Sequence, residues 1–464
     1  MRIELPEKVK FIIETIENAG FEAYAVGGCV RDSMMNREPN DWDITTSAKP
    51  HEVKALFPRT IDTGIQHGTV TVMMKKDGFE VTTYRIDGEY EDSRHPKEVT
   101  FTPDLSEDLR RRDFTINAMA YNDRTGLVDL FGGKEDLERK VIRAVGVPEE
   151  RFTEDALRIM RAFRFAAQLD FSIEESTCEA AERLAGTLKN ISAERIRDEL
   201  TKLVVSDHPE YLLKLYKAGI TAIVFPELDK CIETEQNNVH HMYNVGEHIV
   251  HSMMELKKDE AGKFLSRLGY QMDSDTFRVL RLSLMLHDIG KPECHTVGED
   301  GVDHFYRHAD TGEHIAEDIL RRLKEDNHTI DLVRHLVRFH DARPEPKARS
   351  VRRAASKIGS DTFPLYLLVQ YCDIMAQSDY EKQEKIDRLN KVADLYMEIK
   401  AKGECLSIKE LAVNGGDLIK EAGMKPGPDM GRVLNELLEE VIKDPVLNEK
   451  QKLISIAKDL IHNA

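Results

Sequence analysis

The chain has little of what would tie it to an oxidising compartment or a membrane. Its 464 residues hold six cysteines, at 29, 178, 231, 294, 372 and 405, scattered with no C-x-x-C pair. That spacing argues against a disulfide framework and against a structural zinc site, and the cytoplasm is the expected location. No run of about 18 apolar residues occurs, so no membrane-spanning helix is expected. The segment Met1-Arg2-Ile3-Glu4-Leu5-Pro6 lacks a basic-then-apolar signal pattern. Positive charge is also in deficit, with 66 Lys and Arg against 84 Asp and Glu and a net charge of -18. A non-specific nucleic-acid binder is thereby disfavoured, because phosphate neutralisation dominates such affinity. A local basic track remains open: Arg110-Arg111-Arg112, then Arg158, Arg161 and Arg164. The chain shows no internal repeat and no low-complexity tract, and its length implies two to four domains.

What is present begins with Gly27-Gly28-Cys29-Val30-Arg31-Asp32, followed by Asp41-Trp42-Asp43. A glycine pair after the apolar strand Tyr24-Ala25-Val26 lets backbone approach a phosphate, and a helix starting near Cys29 aims its N–H groups at it. Asp41 and Asp43, two apart on a strand, point to one face. Two carboxylates beside a phosphate cradle make a Mg²⁺ site suited to nucleotidyl transfer, with Arg31 meeting a triphosphate oxygen. Glu80, on a neighbouring strand, is a candidate third carboxylate. Thr69–Met74 and Phe79–Tyr84 read as strands joined by a Lys76-Asp77-Gly78 turn. Residues 87–108 read as a long functional loop.

Two further segments carry chemistry. In Arg111-Arg112-Asp113-Phe114-Thr115-Ile116-Asn117, Arg112 is a candidate for the triphosphate, and Asp113 or Asn117 for a ribose. In Glu154-Asp155-Ala156-Leu157-Arg158-Ile159-Met160-Arg161-Ala162-Phe163-Arg164, a plain helix start with Thr153 as its cap accounts for the acids. Yet 155, 158 and 161 share a helix face. Asp155 accepts hydrogen bonds and Arg158 donates them, which complements the Watson–Crick edges of both cytosine and adenine. Uracil and guanine present the opposite order and would leave buried groups unpaired.

These residues, in this order, resemble the class II tRNA nucleotidyltransferases, the CCA-adding enzymes, and the related bacterial poly(A) polymerases. The resemblance runs from about 20 to 230 and includes Glu80-Val81-Thr82-Thr83-Tyr84-Arg85 and Asp87-Gly88-Glu89-Tyr90-Glu91-Asp92-Ser93-Arg94-His95-Pro96. Glu410–Asp417 and Met424–Pro428 look like the tail of bacterial CCA-adding enzymes, which favours CCA addition over poly(A) synthesis. The resemblance implies Mg²⁺ at Asp41 and Asp43, nucleotide contacts at Gly28, Arg31, Arg112, Glu154, Asp155, Arg158, Arg161 and Arg164, and tRNA, CTP and ATP as partners. It implies an α+β chain: a polymerase-β-like head with a mixed sheet (1–147), then an all-α neck (148–230), body (231–345) and tail (346–464). The loop from Asp87 is expected to reshape one pocket for two bases.

Twelve of the seventeen histidines lie between 240 and 340, marking a separate module. Leu286-His287-Asp288-Ile289-Gly290-Lys291-Pro292 looks like the core of an HD-type metal-dependent phosphohydrolase, in which an adjacent His-Asp pair on a helix serves one divalent transition metal. His248 resembles the first ligand and Asp373 the last, with His308 and His340 as candidates for a second metal. His251, His304, His314 and His335 read as ordinary helix-face residues. The rival readings are an A-adding specialist, a poly(A) polymerase, an HD phosphohydrolase whose head only holds RNA, and a non-catalytic tRNA binder.

Overall fold

The structure is a computed structural model that describes residues 2–88 and 99–462. The core of the loop expected from Asp87 therefore lies outside the described residues. Contacts divide the chain into two compact units, Met1–Pro226 and Glu227–Ala464, and the expected α+β architecture holds.

The first unit begins with helix Glu7–Asn18, which buries Val9, Ile12, Ile13 and Ile16 at helical spacing. Nine strands follow: β1 (Ala23–Val26), β2 (Ile44–Thr46), β3 (Thr60–Gly64), β4 (Thr69–Met74), β5 (Asp77–Thr83), β6 (Arg85–Asp87), β7 (Val99–Phe101), β8 (Met119–Asn122) and β9 (Gly126–Asp129). Seven form one sheet in the order β3-β4-β5-β2-β1-β8-β9. The sheet is mixed because β2 and β5 run parallel while the other pairs are antiparallel. Its core joins Ile12, Ile16, Ala25, Val30, Ile44, Val70, Val72 and Val81.

Two local expectations need correction. The β4–β5 turn is Lys75-Lys76, with Lys75 at φ 63°, and Asp77 and Gly78 belong to β5. Gly78 is there for cross-strand room, since a Cβ would lie 2.8 Å from Thr71 Cγ2. The loop expected over 87–108 is shorter, because β7 pairs with β6 and helix Leu105–Arg110 begins with the Asp104 carboxylate capping the Ser106 N–H.

The remainder of this unit is helical. Helix Leu157–Leu169 packs on Ala193–Val204 and Tyr211–Lys217. In the second unit, helices Val245–Glu255 and Ser274–Leu286 pack on Phe363–Met375, and Asn327–Phe339 packs on Ser274–Leu286 and Phe363–Met375. The expected border at 345 cuts this packing: Phe363–Met375 is buried nearly all round and needs neighbours from both sides of that border. A separate tail core gathers Cys405, Val413, Leu418, Val433, Leu437, Val441 and Leu453. Among the described residues no helix is long and apolar enough to cross a membrane.

Candidate active site

Backbone geometry builds the head of the site. Gly27 sits at φ 82°, a region L side chains avoid, and a Cβ there would come within 2.9 Å of Arg112 Nη1. Glycine is thus required both for the turn and for the guanidinium lying over it. Gly28 opens helix Gly28–Met34, one residue before the expected start, and is not crowded: a Cβ would meet Arg31 at an ordinary 3.7 Å.

Asp41 and Asp43 lie in the extended segment leading into β2 rather than within the strand proper. Pairing with β1 has already begun, because the Val26 N–H donates to the Asp43 carbonyl at 3.0 Å. In the parallel β2–β5 ladder Ile44 lies opposite Val81, so one step back sets Asp43 beside Glu80. All three carboxylates are exposed, while Trp42 turns the other way and packs against the head core. Loss of water raises the pKa of Asp43, Arg112 opposes this, and Asp41 adds to it. Loss of water, then Asp43 and Asp41, raise Glu80. Three carboxylates that repel one another fit a hard divalent cation, which relieves that repulsion.

The arginine run is not a solvated face. Buried Asp108 accepts from Arg111 at 2.7 and 3.0 Å, from Arg112 at 3.4 Å and from Thr45 of β2 at 3.1 Å. Asp113 and Asn117, expected at a ribose, are buried and occupied by one another and by arginines. Arg31 donates to Asn117 Oδ1 at 2.7 Å, Asn117 Nδ2 donates to Asp113 Oδ1 at 3.1 Å, and Arg161 donates twice to Asp113 Oδ2 at 2.6 and 2.8 Å. Burial opposes ionisation of Asp113, but the Arg161 guanidinium and the Asn117 amide outweigh it and hold the carboxyl well below its usual range. Arg164 donates to buried Glu199 at 2.8 Å. The guanidinium carbons of Arg31, Arg161 and Arg164 lie 5.0, 5.2 and 3.6 Å from the Phe165 ring centre.

Asp155 and Arg158 are brought close, but not as a pair on one helix. Helix Pro148–Glu154 ends, Asp155 is extended at φ −138°, and Leu157–Leu169 starts anew with the Asp155 carboxylate accepting from the Leu157 N–H at 3.1 Å. Asp155 is gripped by Arg195, with contacts of 2.8 and 3.3 Å. Arg158 donates to Glu154 at 2.7 Å and to the carbonyls of Arg111 and Arg151 at 2.9 and 3.2 Å. The expected i, i+3 face therefore holds for Arg158 and Arg161, while Asp155 precedes the helix and serves its N-terminus.

In the second unit the structure gathers six predicted side chains, all buried, into two groups: His248, His287 and Asp373, and Asp288, His308 and His340. The His287-Asp288 pair sits on the turn that closes helix Ser274–Leu286, not within a helix. His251, stacked on Tyr243, and His304, His314 and His335 lie outside both groups, as expected.

Comparison with known proteins agrees with this geometry. Residues 23–143 match the model of the poly(A) polymerase head domain, 170–232 that of a probable RNA- and SrmB-binding site of polymerase A, and 304–457 that of a tRNA nucleotidyltransferase domain 2. The CCA-adding enzyme of Streptococcus suis is 35% identical over 453 residues, spanning 97% of this chain and 96% of its own. That of Lactiplantibacillus plantarum is 35% identical over 452 residues, with the same shares of the two chains. This chain belongs to the CCA-adding enzyme family. The crystal structure of the Bacillus stearothermophilus CCA-adding enzyme in complex with CTP superposes with a TM-score of 0.73 at 28% identity, covering 99% of both chains. The Thermotoga maritima CCA-adding enzyme complexed with tRNA shares the fold, with a TM-score of 0.60 at 20% identity, covering 99% of this chain and 100% of that one.

For a CCA-adding family member, the sequence reading missed Arg195, Glu199 and Phe165. Arg195 and Glu199 stand four apart on helix Ala193–Val204, a spacing open to inspection. Nothing in the sequence says that this helix packs against Leu157–Leu169, and that packing is what puts them in the site.

Proposed function

We propose that this chain restores the 3′-CCA of tRNA from CTP and ATP without a template, releasing pyrophosphate, and does so in the cytoplasm. The tRNA 3′-hydroxyl attacks the α-phosphorus, and the bond to the pyrophosphate oxygen breaks. The observation that carries this reading is the convergence of Asp41, Asp43 and Glu80 beside the Gly27 turn and its overlying Arg112. Mg²⁺ held by Asp41 and Asp43, with Glu80 beside them, would lower the pKa of the attacking hydroxyl and neutralise the triphosphate. The uncrowded backbone at Gly28 and the guanidiniums of Arg31 and Arg112 receive the triphosphate. Asp113 and Asn117 hold Arg31 and Arg161 in place rather than touching the ribose.

Asp155 and Arg158 read the base, Asp155 accepting from the exocyclic amine and Arg158 donating to the ring nitrogen beside it. Glu154 and the Arg111 carbonyl fix the direction of the Arg158 fork, and Arg195 fixes Asp155. With both sides anchored, the edge pattern is preset for C and A, and U and G leave donors and acceptors unpaired.

The test is incubation with Mg²⁺ and tRNA transcripts ending before CCA or after CC, with CTP, ATP or both, read at single-nucleotide resolution. Three additions stopping at CCA are expected. Extension only of the CC-ended tRNA would make the protein an A-adding specialist, and long adenylate tails a poly(A) polymerase.

A further inference from the structure

The two histidine groups of the second unit are joined by one residue, and the tautomers are dictated by backbone. His287 Nδ1 lies 2.7 Å from the Leu284 carbonyl, His308 Nδ1 2.8 Å from that of Phe305, and His340 Nδ1 2.7 Å from that of Val337. A carbonyl only accepts, so each Nδ1 carries the proton and each Nε2 of the neutral ring is a bare lone pair. Those lone pairs face one another. His308 and His340 Nε2 are 3.1 Å apart, and His287 and His248 Nε2 are 3.4 Å apart. Two ligand atoms each about 2.1 Å from one ion stand about 3.0–3.4 Å apart. Asp288 serves both groups: Oδ2 lies 3.3 and 3.6 Å from His287 and His248, and Oδ1 lies 3.4 and 3.5 Å from His308 and His340. Asp373 Oδ1 completes the first group at 3.0 Å from His248. Gly290 permits this closeness, since a Cβ there would stand 2.3 Å from the His308 carbonyl.

The cluster forms the floor of a cavity of about 550 Å³ whose walls carry Lys291, Arg307, Arg343, Lys385 and Arg388. Lys291 and Arg343 lie against Asp288 and Asp373, at 2.7 and 3.0 Å. Lys385 and Arg388 are differently placed. Lys385 donates to Gln377 Oε1 at 2.8 Å, and Arg388 to the Arg343 carbonyl at 3.1 Å, so both charges stay available to an anion. The rim bears Tyr306, 72% exposed and stacked on His304 at 5.2 Å between ring centres, an aromatic face open to the cavity.

We propose that this cavity is a second active site: a dinuclear centre bridged by Asp288, hydrolysing the phosphate ester of a nucleotide whose base stacks on Tyr306. The nitrogen-rich donor set suits a transition ion such as Mn²⁺, Fe²⁺, Ni²⁺ or Zn²⁺ better than Mg²⁺. In the reaction a water oxygen bonds to phosphorus and the bond from phosphorus to the ester oxygen breaks. One water proton ends on the released alcohol and the other on phosphate, so no co-reactant is needed. Lys385 and Arg388 hold the phosphate oxygens. The proposal is independent of nucleotidyl transfer in the head, which is assayed in parallel and reports folding.

The experiment loads the full chain with Mn²⁺, removes excess by gel filtration and counts metal per chain by mass spectrometry. Two ions per chain are expected, falling to one in the His308→Ala/His340→Ala double variant. Fewer than one ion in the parent, or two in the double variant, would overturn the bridged centre. Hydrolysis is then followed with adenosine monophosphates phosphorylated at the 2′, 3′ or 5′ position and with p-nitrophenyl phosphate. Tyr306→Ala, at an exposed position, should raise KM for the preferred nucleotide about tenfold and leave that for p-nitrophenyl phosphate unchanged. Lys385→Ala should raise both. No hydrolysis by the two-metal form, or equal effects of Tyr306→Ala on both substrates, would sink the assignment of a nucleotide ester.

Discussion

The two sites solve opposite problems with their charged ligands. Asp41, Asp43 and Glu80 are exposed, all negative, and repel one another. The histidine centre is buried, with His248 and His287 at 0% exposure, and its ligand atoms are mostly neutral nitrogens. An exposed carboxylate site can exchange a weakly held cation and open to a long triphosphate and a polynucleotide end. A buried imidazole site holds its ions as part of the structure and admits a substrate only through a cavity. The lesson is that ligand type and burial together separate a site that trades its metal from one that keeps it.

The largest expected effect probes the exposed site. Asp43→Asn should lower nucleotidyl transfer by at least about 10³-fold, because it removes a charge from the position where the metal would stand. In chelator, however, its melting temperature should not fall, and a small rise is expected. Burial and Asp41 raise the pKa of Asp43 in the folded protein, so its ionised form is a cost at neutral pH. The sign follows: this group favours folding below its unfolded pKa and loses that contribution as pH rises through the folded value. A melting temperature several degrees lower in the variant would show that Asp43 is structural. The same raised pKa values predict that the Mg²⁺ concentration for half-maximal transfer increases as pH is lowered from 8 to 6, since protons compete for the carboxylates.

Metal stripping comes next and should split the two regions. Dialysis against a strong chelator should remove activity from both, and Mg²⁺ alone should restore transfer at the head. The second unit should unfold at a temperature several degrees lower until Mn²⁺ is returned, because bound metal adds to folding stability. A single unshifted calorimetric transition would break the comparison by making the histidine cluster a metal-free core.

The two sites also differ in how legible they were. Asp41, Asp43 and Glu80 could be found because strand alternation and a hairpin pattern fix which way side chains face, and the ladder then supplies the register. The six histidine and aspartate ligands were named from motif spacing, yet only packing of helices more than a hundred residues apart shows that Asp288 touches both groups. The break at Asp155 was hidden because Glu154–Arg164 reads as an unbroken helical pattern, and no local signal reports that Asp155 leaves the helix to meet Arg195. Asp113 and Asn117 failed as ribose contacts for a related reason: burial turned polar groups toward each other, which a sequence does not display.

A smaller effect is expected at Gly27. Gly27→Ala forces an L side chain to φ 82° and pushes on Arg112, so a stability loss of about 1–2 kcal/mol is expected, with a larger fractional loss of transfer. A loss of stability with transfer intact would separate the turn from the triphosphate site.

The smallest effect is the most discriminating. Arg195 touches no reacting atom in this reading, and it acts by holding Asp155 as a positioning residue. Arg195→Ala frees the Asp155 carboxylate to rotate away from the base edge while leaving the three metal-facing carboxylates alone. Discrimination of CTP over UTP should therefore fall about tenfold, with kcat for CTP reduced only two- to threefold, and Arg195→Lys should recover part of the selectivity through a single hydrogen bond. A purely structural role would lower kcat for all nucleotides together and leave their ratios unchanged. The outcome sharpens the contrast between the regions: at the head, metal chemistry is carried by exposed carboxylates, and rigidity is confined to the buried ion pairs that read the base.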